Sequence, residues 1–468
     1  MKNRIGMTLA AGVLSCALFM NGAGSLVHAA DIAEIPAQEI DSVYEMEVQS
    51  NRWGDWAEGP QIYSESGIVM DVDTGTILYA KNIDDKHYPA SITKIMTALV
   101  ALRTYEMDEV VTFTWDDVGF LEYGDAHIGI KPDEKVMMED CMYAMLFASA
   151  NEVSHAVGAH YEGGYDAFIA EMNRLSEELG CENSHWVNTH GLHDPEHYTS
   201  VHDMAIIGAE LFKIDKFREI ESYQSHEIPE TEMTDEKRYA WQNHKMVYSG
   251  NRHYYEYFAG GKTGYTDQAL TTLVTFATKD DMNLVAVVMR THGGGNNAYS
   301  DTKNMLNYAF DNFERKLLEI NEIGNGALSM IEGDLKAELT LPVGALDSSL
   351  VFSMIDPTEE GDKTADLTLS YGGREMCSME AAITDEYYNE LHAEEIRAAE
   401  EAAQREARAE AFAEAMKVIG IIAAVCVLAF AGLIAAVLYR RKQKRKKRSM
   451  KRRKYMRELE ERSHWSER

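Results

Sequence analysis

The sequence predicts a mixed α/β fold of the α+β kind, in which helices flank one antiparallel sheet. Two pairs of short strands, each joined by a polar turn, lie far apart in the chain, at residues 67–80 and 273–289. Between them, segments 91–102, 138–160 and 165–179 have the lengths and apolar patterns of helices. Since strands stand at both ends of a helical middle, we expect one sheet assembled from distant segments, with helices packed on its faces.

The remainder of the chain predicts smaller parts after the main domain, which we place at 61–316. Short alternating stretches over 317–384 predict a small β domain. Residues 385–416 are rich in Glu, Ala and Arg without an apolar heptad, which predicts an exposed helical stalk. Residues 418–439 contain no charge and would be about 33 Å long as a helix, enough to span a bilayer. The basic segment that follows, 440–468, predicts a cytoplasmic tail.

The chain begins with a pattern typical of an export signal. Residues 1–30 combine early positive charges, an apolar run and a small-residue cleavage pattern, which predicts a signal peptide. Residues 31–60 are acidic and weakly periodic, and we interpret them as a linker. We therefore expect a single-pass protein of the cell membrane with its main domain outside the cell.

Charge is divided sharply along the chain. The net charge is −32, and the tail over 440–468 carries 15 Lys and Arg against 4 Asp and Glu, a charge of +11, so the residues before it carry −43. Such an acidic ectodomain argues against a nucleic-acid partner. Directly after a membrane span, the basic tail is better explained by the anionic lipids of the inner leaflet.

Ser91 and Lys94 form the first candidate catalytic pair. On a helix, residues three apart share one face, so the lysine amine could take the proton of the serine hydroxyl. Because the helix over 91–102 is otherwise almost wholly apolar, an inward-pointing Lys94 would be costly without a function. Burial and a second nearby cation would both lower the pKa of Lys94 and favour the neutral amine that a general base requires.

Two further segments carry candidate site residues. Ser149 and Asn151 follow an apolar helical stretch, where they could supply a second hydroxyl for proton relay and an amide that orients Lys94 and a substrate. In the segment 260–266, Gly-Gly-Lys-Thr-Gly-Tyr-Thr, glycines allow the backbone to approach a ligand closely, while a lysine and a threonine hydroxyl suit a carboxylate. This segment lacks the spacing of a phosphate-binding Walker loop.

Two other matches to these short patterns are interpreted as structural. Ser300 is also followed by a lysine three residues later, but it precedes an amphipathic helix, and we interpret it as an N-cap. Ser249 is followed by an asparagine two residues later, but it lies in a Tyr-rich loop. We therefore assign the candidate site to Ser91 and Ser149.

The order Ser-x-x-Lys, Ser-x-Asn, Lys-Thr-Gly resembles the signature of the serine penicillin-recognising superfamily. The stretch 188–205 also looks like that of low-molecular-weight D-alanyl-D-alanine carboxypeptidases, the S11 peptidase family. The resemblance covers roughly residues 60–385 and implies a β-lactamase/transpeptidase-like domain followed by the small β domain. The chain departs from the family at Glu152, where Asp is common, and at Leu270, where Gly is common; we expect neither to touch the reacting groups.

The resemblance implies a serine-type D-Ala-D-Ala carboxypeptidase that acts on peptidoglycan stem peptides and is acylated by β-lactams. Ser91 would attack the carbonyl between the two terminal D-alanines, Lys94 would take its proton, and Ser149 would pass a proton to the leaving amine. Asn151 would help to bind the substrate, and the backbone N–H groups of Ser91 and Tyr265 would bind the developing oxyanion. Lys262 and Thr263 would hold the terminal carboxylate, and Gly264 and Tyr265 would also belong to the substrate-binding residues.

Three alternatives remain open from the sequence. A class A β-lactamase would share the motifs but needs a Glu-x-x-Leu-Asn type of loop, and we find no convincing example between residues 151 and 262. A transpeptidase or D,D-endopeptidase would use the same acyl-enzyme. A non-catalytic sensor of wall fragments would use the fold without turnover.

We expect no cofactor and no metal. His193 and His197 are four residues apart, but Pro195 between them disfavours a helical ligand pair. No Cys-x-x-Cys pair is present in the sequence. The histidines of the stretch 185–202 are therefore predicted to face solvent or to order a loop.

Overall fold

The computed structural model describes residues 40–320, 331, 333, 335–355 and 363–463. The predicted signal peptide and the first part of the predicted linker lie outside these described residues. The described residues form two compact units: the first ends at Ala381, and the second contains Ile331 and the residues from Ala382 onwards.

The first unit contains fourteen described strands, numbered in chain order. They are β1 Ser64–Asp71, β2 Ile77–Lys81, β3 Val110–Thr112, β4 Lys135–Met137, β5 Ser225–Ile228, β6 Arg238–Trp241, β7 Phe258–Thr266, β8 Leu270–Lys279, β9 Met282–Thr291, β10 Phe313–Glu319, β11 Lys336–Pro342, β12 Leu350–Ile355, β13 Thr364–Tyr371 and β14 Arg374–Ala382.

Nine described α-helices accompany these strands. They are α1 Ile40–Tyr44, α2 Thr93–Thr104, α3 Trp115–Val118, α4 Met138–Phe147, α5 Asn151–Ala159, α6 Tyr165–Glu178, α7 Val201–Phe212, α8 Asp215–Glu221 and α9 Gly295–Asn312. Short 3₁₀ turns lie at Gln49–Arg52, Ala90–Ile92, Lys245–Val247 and Asp347–Ser349.

The central sheet has five antiparallel strands in the order β2-β1-β9-β8-β7. Both predicted hairpins are confirmed, since β1 pairs with β2 and β8 with β9. The two hairpins meet where β1 pairs with β9, so distant parts of the chain form one sheet, as the sequence predicts. The strand β7, which carries the Lys-Thr-Gly motif, is an edge strand.

Helices cover both faces of this sheet. In β9, Val285 and Val287 belong to the same core cluster as the residues of α2 and α7. The residues between and after them, Ala286 and Val288, point to the opposite face because strand side chains alternate, and they are also fully buried. The long helix α9 packs against β9, β8 and β1.

The helix α2 lies at the centre of the core. Its first nine residues, 93–101, are all buried, and it packs against α4, α5, α6 and α7. A wholly buried helix needs no polar face, which explains the nearly continuous apolar sequence. It begins directly after the 3₁₀ turn that contains Ser91. The buried helix predicted over 91–102 is therefore confirmed, with the α-helix itself at Thr93–Thr104.

Three sequence-based predictions need correction. The predicted helix over 138–160 is two helices, because Ser149 adopts a positive φ of 60° that no α-helix can contain. The predicted linker over 31–60 is folded in its described part, where Val43, Val48 and Trp56 are buried and Lys81 Nζ donates to the Val43 carbonyl at 2.8 Å. These three apolar residues stand among acidic and polar ones without a regular spacing, so the sequence pattern does not indicate that the segment is folded.

The third correction concerns the start of the small β domain. The predicted boundary at residue 317 falls inside β10, which begins at Phe313 and pairs along its whole length with β11. The remaining strands form a three-stranded sheet in the order β12-β13-β14. Arg315 of β10 donates to Asp71 at 3.0 Å and also to Asp73, which ties the first small sheet to the β1–β2 hairpin.

The second unit contains α10, Asp385–Leu391, and α11, Ala393–Ser463. The predicted stalk therefore begins with the short helix α10, while the rest of the stalk, the predicted membrane span and the tail as far as Ser463 form one uninterrupted helix of 71 residues. Within the described part of the chain, this is one helix that is long and apolar enough to cross a membrane, with a most apolar window of mean hydropathy 3.0. The domain limits proposed for this region remain predictions.

Candidate active site

Ser91 lies at the start of the buried helix α2, in a backbone that is held in an unusual conformation. The preceding residue, Ala90, has a φ of +49°, which is uncommon for a residue with a side chain. Its carbonyl accepts a hydrogen bond from Thr93 Oγ1 at 2.8 Å, which stabilises the turn. Ser91 itself is partly exposed, whereas Lys94 one turn later is fully buried.

Lys94 has three polar neighbours. Its Nζ lies 3.2 Å from Ser91 Oγ, 2.7 Å from Asn151 Oδ1 and 2.6 Å from the His190 carbonyl oxygen. The amide and carbonyl oxygens can only accept hydrogen bonds, so they occupy two N–H groups of the lysine. In the neutral state, the lone pair of the amine is then free to accept the proton of the Ser91 hydroxyl.

The electrostatics around Lys94 favour that neutral state. Burial holds its pKa well below the ordinary value, and the positive charge of Lys262 lowers it further. Glu152 and Asp125 act in the opposite direction. The structure thus shows both causes that the sequence predicts, burial and a second cation. Glu152 makes no hydrogen bond to the reacting groups, yet its charge acts on Lys94.

Ser149 and Asn151 lie at the break between α4 and α5. The backbone N–H of Asn151 donates to the Ala126 carbonyl at 2.8 Å, which directs the start of α5 towards Lys94. Ser149 Oγ accepts a hydrogen bond from Lys262 Nζ at 3.0 Å, and the same Nζ donates to the Thr263 carbonyl at 2.9 Å. The second and third motifs are therefore joined by a direct contact.

Lys262 is almost completely buried on the edge strand β7. Burial lowers its pKa to about 7, while the negative charge of Glu221 opposes that shift. Two residues further along, a Cβ atom on Gly264 would lie 2.9 Å from the Ser91 backbone nitrogen and 2.4 Å from Thr272 Oγ1. Only glycine allows β7 to pass this close to the turn that carries Ser91.

These elements enclose a cleft of about 360 Å³. The cleft is lined by five of the predicted site residues: Ser91, Ser149, Thr263, Gly264 and Tyr265. Its other lining residues are Ala126, Asn243, Lys245, Thr271, Thr272, Leu273, Gly295, Ala298 and Tyr299. The remaining predicted residues, Lys94, Asn151 and Lys262, are buried next to it and contact its lining residues or each other.

The loop over residues 185–199 packs against the start of α2. His197 Nδ1 accepts the Val187 N–H at 3.1 Å, so Nε2 carries the proton and donates to Thr93 Oγ1 at 2.8 Å. Burial lowers the pKa of His197 to about 3, which keeps the ring neutral. The prediction that histidines here order a loop is correct for His197. In the part of the chain that the structure describes, no group of three or more His, Cys, Asp or Glu side chains could hold a metal ion.

Sequence reasoning missed three contributors to the site. The His190 carbonyl is a backbone group and leaves no side-chain signal. The buried carboxylates Glu152 and Glu221 look like ordinary surface glutamates in the sequence, and only tertiary packing removes them from water. One further prediction is wrong: Ser300 is not an N-cap, since α9 begins at Gly295 and Ser300 Oγ donates to the Asn296 carbonyl within the helix.

The comparisons with known proteins agree with this geometry. Residues 55–293, just over half of the chain, match the model of the peptidase S11 family, described as D-alanyl-D-alanine carboxypeptidase. The chain belongs to this family. The resemblance predicted from the three motifs is thereby confirmed.

Curated members of the family are similar over the same part of the chain. D-alanyl-D-alanine carboxypeptidase DacF of Bacillus subtilis is 30% identical over 255 residues, which cover 54% of this chain and 63% of the relative. D-alanyl-D-alanine carboxypeptidase DacA of Escherichia coli K12 is 31% identical over 267 residues, which cover 54% of this chain and 62% of the relative. The chain thus spans less than two thirds of the length of these relatives.

Solved structures confirm the predicted fold class. Penicillin binding protein 5 from Haemophilus influenzae superposes with a TM-score of 0.57 at 24% identity, over 70% of this chain and 98% of that one. The Streptomyces K15 DD-transpeptidase superposes with a TM-score of 0.50 at 24% identity, over 55% of this chain and 100% of that one.

Proposed function

We propose that this chain is a serine-type D-Ala-D-Ala carboxypeptidase that removes the terminal D-alanine from peptidoglycan pentapeptide stems. The observation that carries the proposal is the contact of 3.2 Å between Ser91 Oγ and a buried lysine whose other two neighbours are acceptors. Such a lysine is available as a base at neutral pH. Membership of the S11 family and the names of the curated relatives support the same reaction.

In the acylation step, the proton of the Ser91 hydroxyl moves to Lys94 Nζ as Oγ attacks the carbonyl carbon between the two D-alanines. The negative charge that develops on the carbonyl oxygen is stabilised by the backbone N–H groups of Ser91 and Tyr265. The C–N bond then breaks, and the leaving D-alanine amine receives a proton through Ser149. The peptide remains bound to Ser91 as an ester.

In the deacylation step, a water molecule loses a proton to Lys94 and attacks the ester. The bond to Oγ breaks, Ser91 regains a proton, and the shortened peptide leaves as a carboxylic acid. β-Lactams would enter the same first step, because they present an amide and a carboxylate to the same groups.

The specificity for a free C-terminus would come from β7. Lys262, Thr263 and Gly264 would bind the terminal carboxylate, and Asn151 would bind the peptide amide. Because β7 is an edge strand, its outer backbone groups are available to an extended peptide, which would add as a further strand. No cofactor is needed for this chemistry.

We also propose that residues 418–439 span the cell membrane, with the peptidase domain outside and the basic segment after residue 439 in the cytoplasm. The uncharged run and the basic residues after it support this orientation. As a helix, the stalk over 385–416 would be about 48 Å long.

Mass spectrometry of the full-length chain in detergent tests the proposed reaction. We expect a pentapeptide ending in D-Ala-D-Ala to lose one alanine, and benzylpenicillin to form an adduct on Ser91. Ser91→Ala should abolish both, whereas Ser300→Ala, which removes the serine of the other Ser-x-x-Lys match, should leave both unchanged.

Other outcomes would favour the alternatives. A penicillin adduct without peptide turnover would indicate a wall-fragment sensor, or an endopeptidase if a crosslinked dimer is cleaved instead. Rapid release of hydrolysed penicillin would indicate a β-lactamase. If neither the peptide nor penicillin reacts, Ser91 is not the nucleophile.

A further inference from the structure

The cleft beside Ser91 has one charged side chain on its wall, on a residue to which the proposed reaction assigns no role. Among the fourteen residues that line the cleft, all of them described by the structure, Lys245 is the one that is ionised at neutral pH. It is exposed, and its Nζ lies 5.9 Å from the centre of the Tyr299 ring. Within the described part of the chain, this Nζ has no ion-pair partner. An unpaired cation on the wall of a cleft can bind an anionic group of a ligand.

The backbone around Lys245 determines the direction of this side chain. Gln242 and His244 are buried, whereas Asn243 and Lys245 are exposed and line the cleft. The backbone of His244 is extended, with φ −77° and ψ 111°, and successive side chains of an extended segment point to opposite sides. The burial of His244 therefore directs Lys245 towards the cleft.

The segment over 243–245 is held in place by hydrogen bonds to three elements of the peptidase domain, α4, β8 and α9. These bonds are Asn243 N–H to the Phe147 carbonyl at 3.2 Å, His244 Nε2 with Thr275 Oγ1 at 2.9 Å, and Lys245 N–H to Tyr299 Oη at 3.0 Å. The helix α4 leads to Ser149, and β8 pairs with β7, which carries the Lys-Thr-Gly motif. The position of Lys245 is therefore fixed relative to both motifs.

Lys262, the lysine of the motif, is less accessible to a ligand than Lys245. Its side chain is 1% exposed, and it lies next to the cleft rather than on its wall. Two of its three N–H groups already donate to Ser149 Oγ and to the Thr263 carbonyl, at 3.0 and 2.9 Å. Burial also lowers its pKa to about 7, so a large share of it is uncharged at neutral pH. The exposed cation of the cleft is therefore Lys245.

We propose that Lys245 determines the specificity for a free C-terminus by binding the terminal carboxylate of the stem peptide together with Thr263. The inference rests on the proposed function, because that carboxylate belongs to its substrate. Ser91 attacks the carbonyl one residue before the carboxylate, and Ser91, Thr263 and Lys245 line the same cleft. Since the chain before the basic tail is strongly acidic, a cation in the cleft also offsets the repulsion of an anionic substrate. Lys245 lies outside the three motifs.

Benzylpenicillin and its methyl ester separate recognition of the carboxylate from other effects, because the ester has no carboxylate. Lys245→Gln should slow the acylation of Ser91 by benzylpenicillin about tenfold, as expected for the loss of one hydrogen bond between charged groups. It should leave acylation by the ester unchanged. With the pentapeptide ending in D-Ala-D-Ala, KM should rise about tenfold while kcat changes little. All reactions are followed by mass spectrometry of the full-length chain in detergent.

Lys303→Gln is the matched control. Burial lowers the pKa of His253, and the charges of Lys245 and Lys303 both lower it further, so the two lysines lie in the same part of the domain. Lys303 belongs to α9 and does not line the cleft. Its substitution removes the same charge and should leave both acylation rates unchanged. Lys245→Arg keeps the positive charge and should retain most of the rate with benzylpenicillin.

Three results would overturn the inference. The first is an equal slowing of benzylpenicillin and its ester by Lys245→Gln, which would indicate a structural role. The second is equal rates with benzylpenicillin in Lys245→Gln and Lys303→Gln, and the third is a Lys245→Arg protein as slow as Lys245→Gln. Wild-type protein that reacts with neither penicillin nor pentapeptide would instead overturn the proposed function, which separates the two failures.

Discussion

At the scale of single residues, the position of Ser91 depends on the backbone contacts that surround it. Ala90 has a left-handed φ, and Gly191 lies against it so closely that a Cβ atom there would be 1.9 Å from the Ala90 carbonyl oxygen. Gly191 itself has a φ of +86°. The conformation of Ser91 is thus set by a loop about 100 residues further along the chain.

Gly191→Ala tests this dependence. The new methyl group must push Ala90 away, and a displacement of about 1 Å at a reacting atom can cost about 100-fold in rate. We expect penicillin acylation to fall by about that factor. Gly180→Ala is the control, because Gly180 also has a positive φ, +80°, but open space around its Cβ position. It should lose about 1 kcal/mol of stability and no acylation rate. Equal acylation rates in both variants would contradict this account.

At the scale of elements, the break between α4 and α5 creates the second part of the site. The apolar pattern on both sides of Ser149 would fit one continuous helix. Ser149 instead adopts the left-handed conformation, and its hydroxyl accepts a hydrogen bond from Lys262. A non-glycine residue in this conformation costs about 1 kcal/mol. The strain is offset by the contact between the two motifs.

Two substitutions at Ser149 separate strain from chemistry. Ser149→Ala and Ser149→Gly both remove the hydroxyl, so both should slow peptide turnover. Only glycine adopts the positive φ without strain, so chemical denaturation should show Ser149→Gly to be more stable than Ser149→Ala by about 1 kcal/mol. Equal stability of the two variants would mean that the break carries no strain.

At the scale of the whole molecule, buried neutral histidines make stability depend on pH. Burial lowers the pKa of His87 to about 4 and those of His197 and His244 to about 3, and it holds that of His190 well below its ordinary value. The unfolded chain binds protons at these sites below pH 6.5, whereas the folded chain does not. The stability they contribute is therefore complete above that pH and is lost as the pH falls. Glu221 and Asp301, whose pKa values are raised, act in the opposite direction.

His197→Gln isolates one of these sites. The variant takes up one proton fewer on unfolding than the wild type does. Between pH 6 and pH 4, its free energy of unfolding should therefore fall less steeply than that of the wild type, by about 1.4 kcal/mol per pH unit. Urea denaturation at several pH values measures it. An unchanged slope in His197→Gln would show that His197 is protonated in the folded state.

The division into two compact units predicts that the C-terminal helix is dispensable for the chemistry. A chain that ends after residue 384 should be soluble without detergent and should react with benzylpenicillin at the rate of the full-length chain. The full-length chain should require detergent, since residues 418–439 expose an apolar surface. A truncated chain that folds but reacts ten times more slowly would show that the helix contributes to the site.

The sequence by itself determined which residues could take part in catalysis or binding, and which helices and strands carry them. The hairpins, the buried helix after Ser91 and the three motifs were predictable because they depend on local periodicity and on short spacings within one element. The buried lysine was also predictable, since a charge in an apolar helix has nowhere to point except into the core.

Only the tertiary structure decided which groups face these residues. The His190 carbonyl at Lys94, the contact between Ser149 and Lys262, and the carboxylate of Glu221 behind β7 join residues from distant parts of the chain. The folded state of residues 40–60 and the break at Ser149 have the same origin. Such features depend on packing and desolvation, and a residue's distance from water is a property of the folded chain, so no local pattern in the sequence records it.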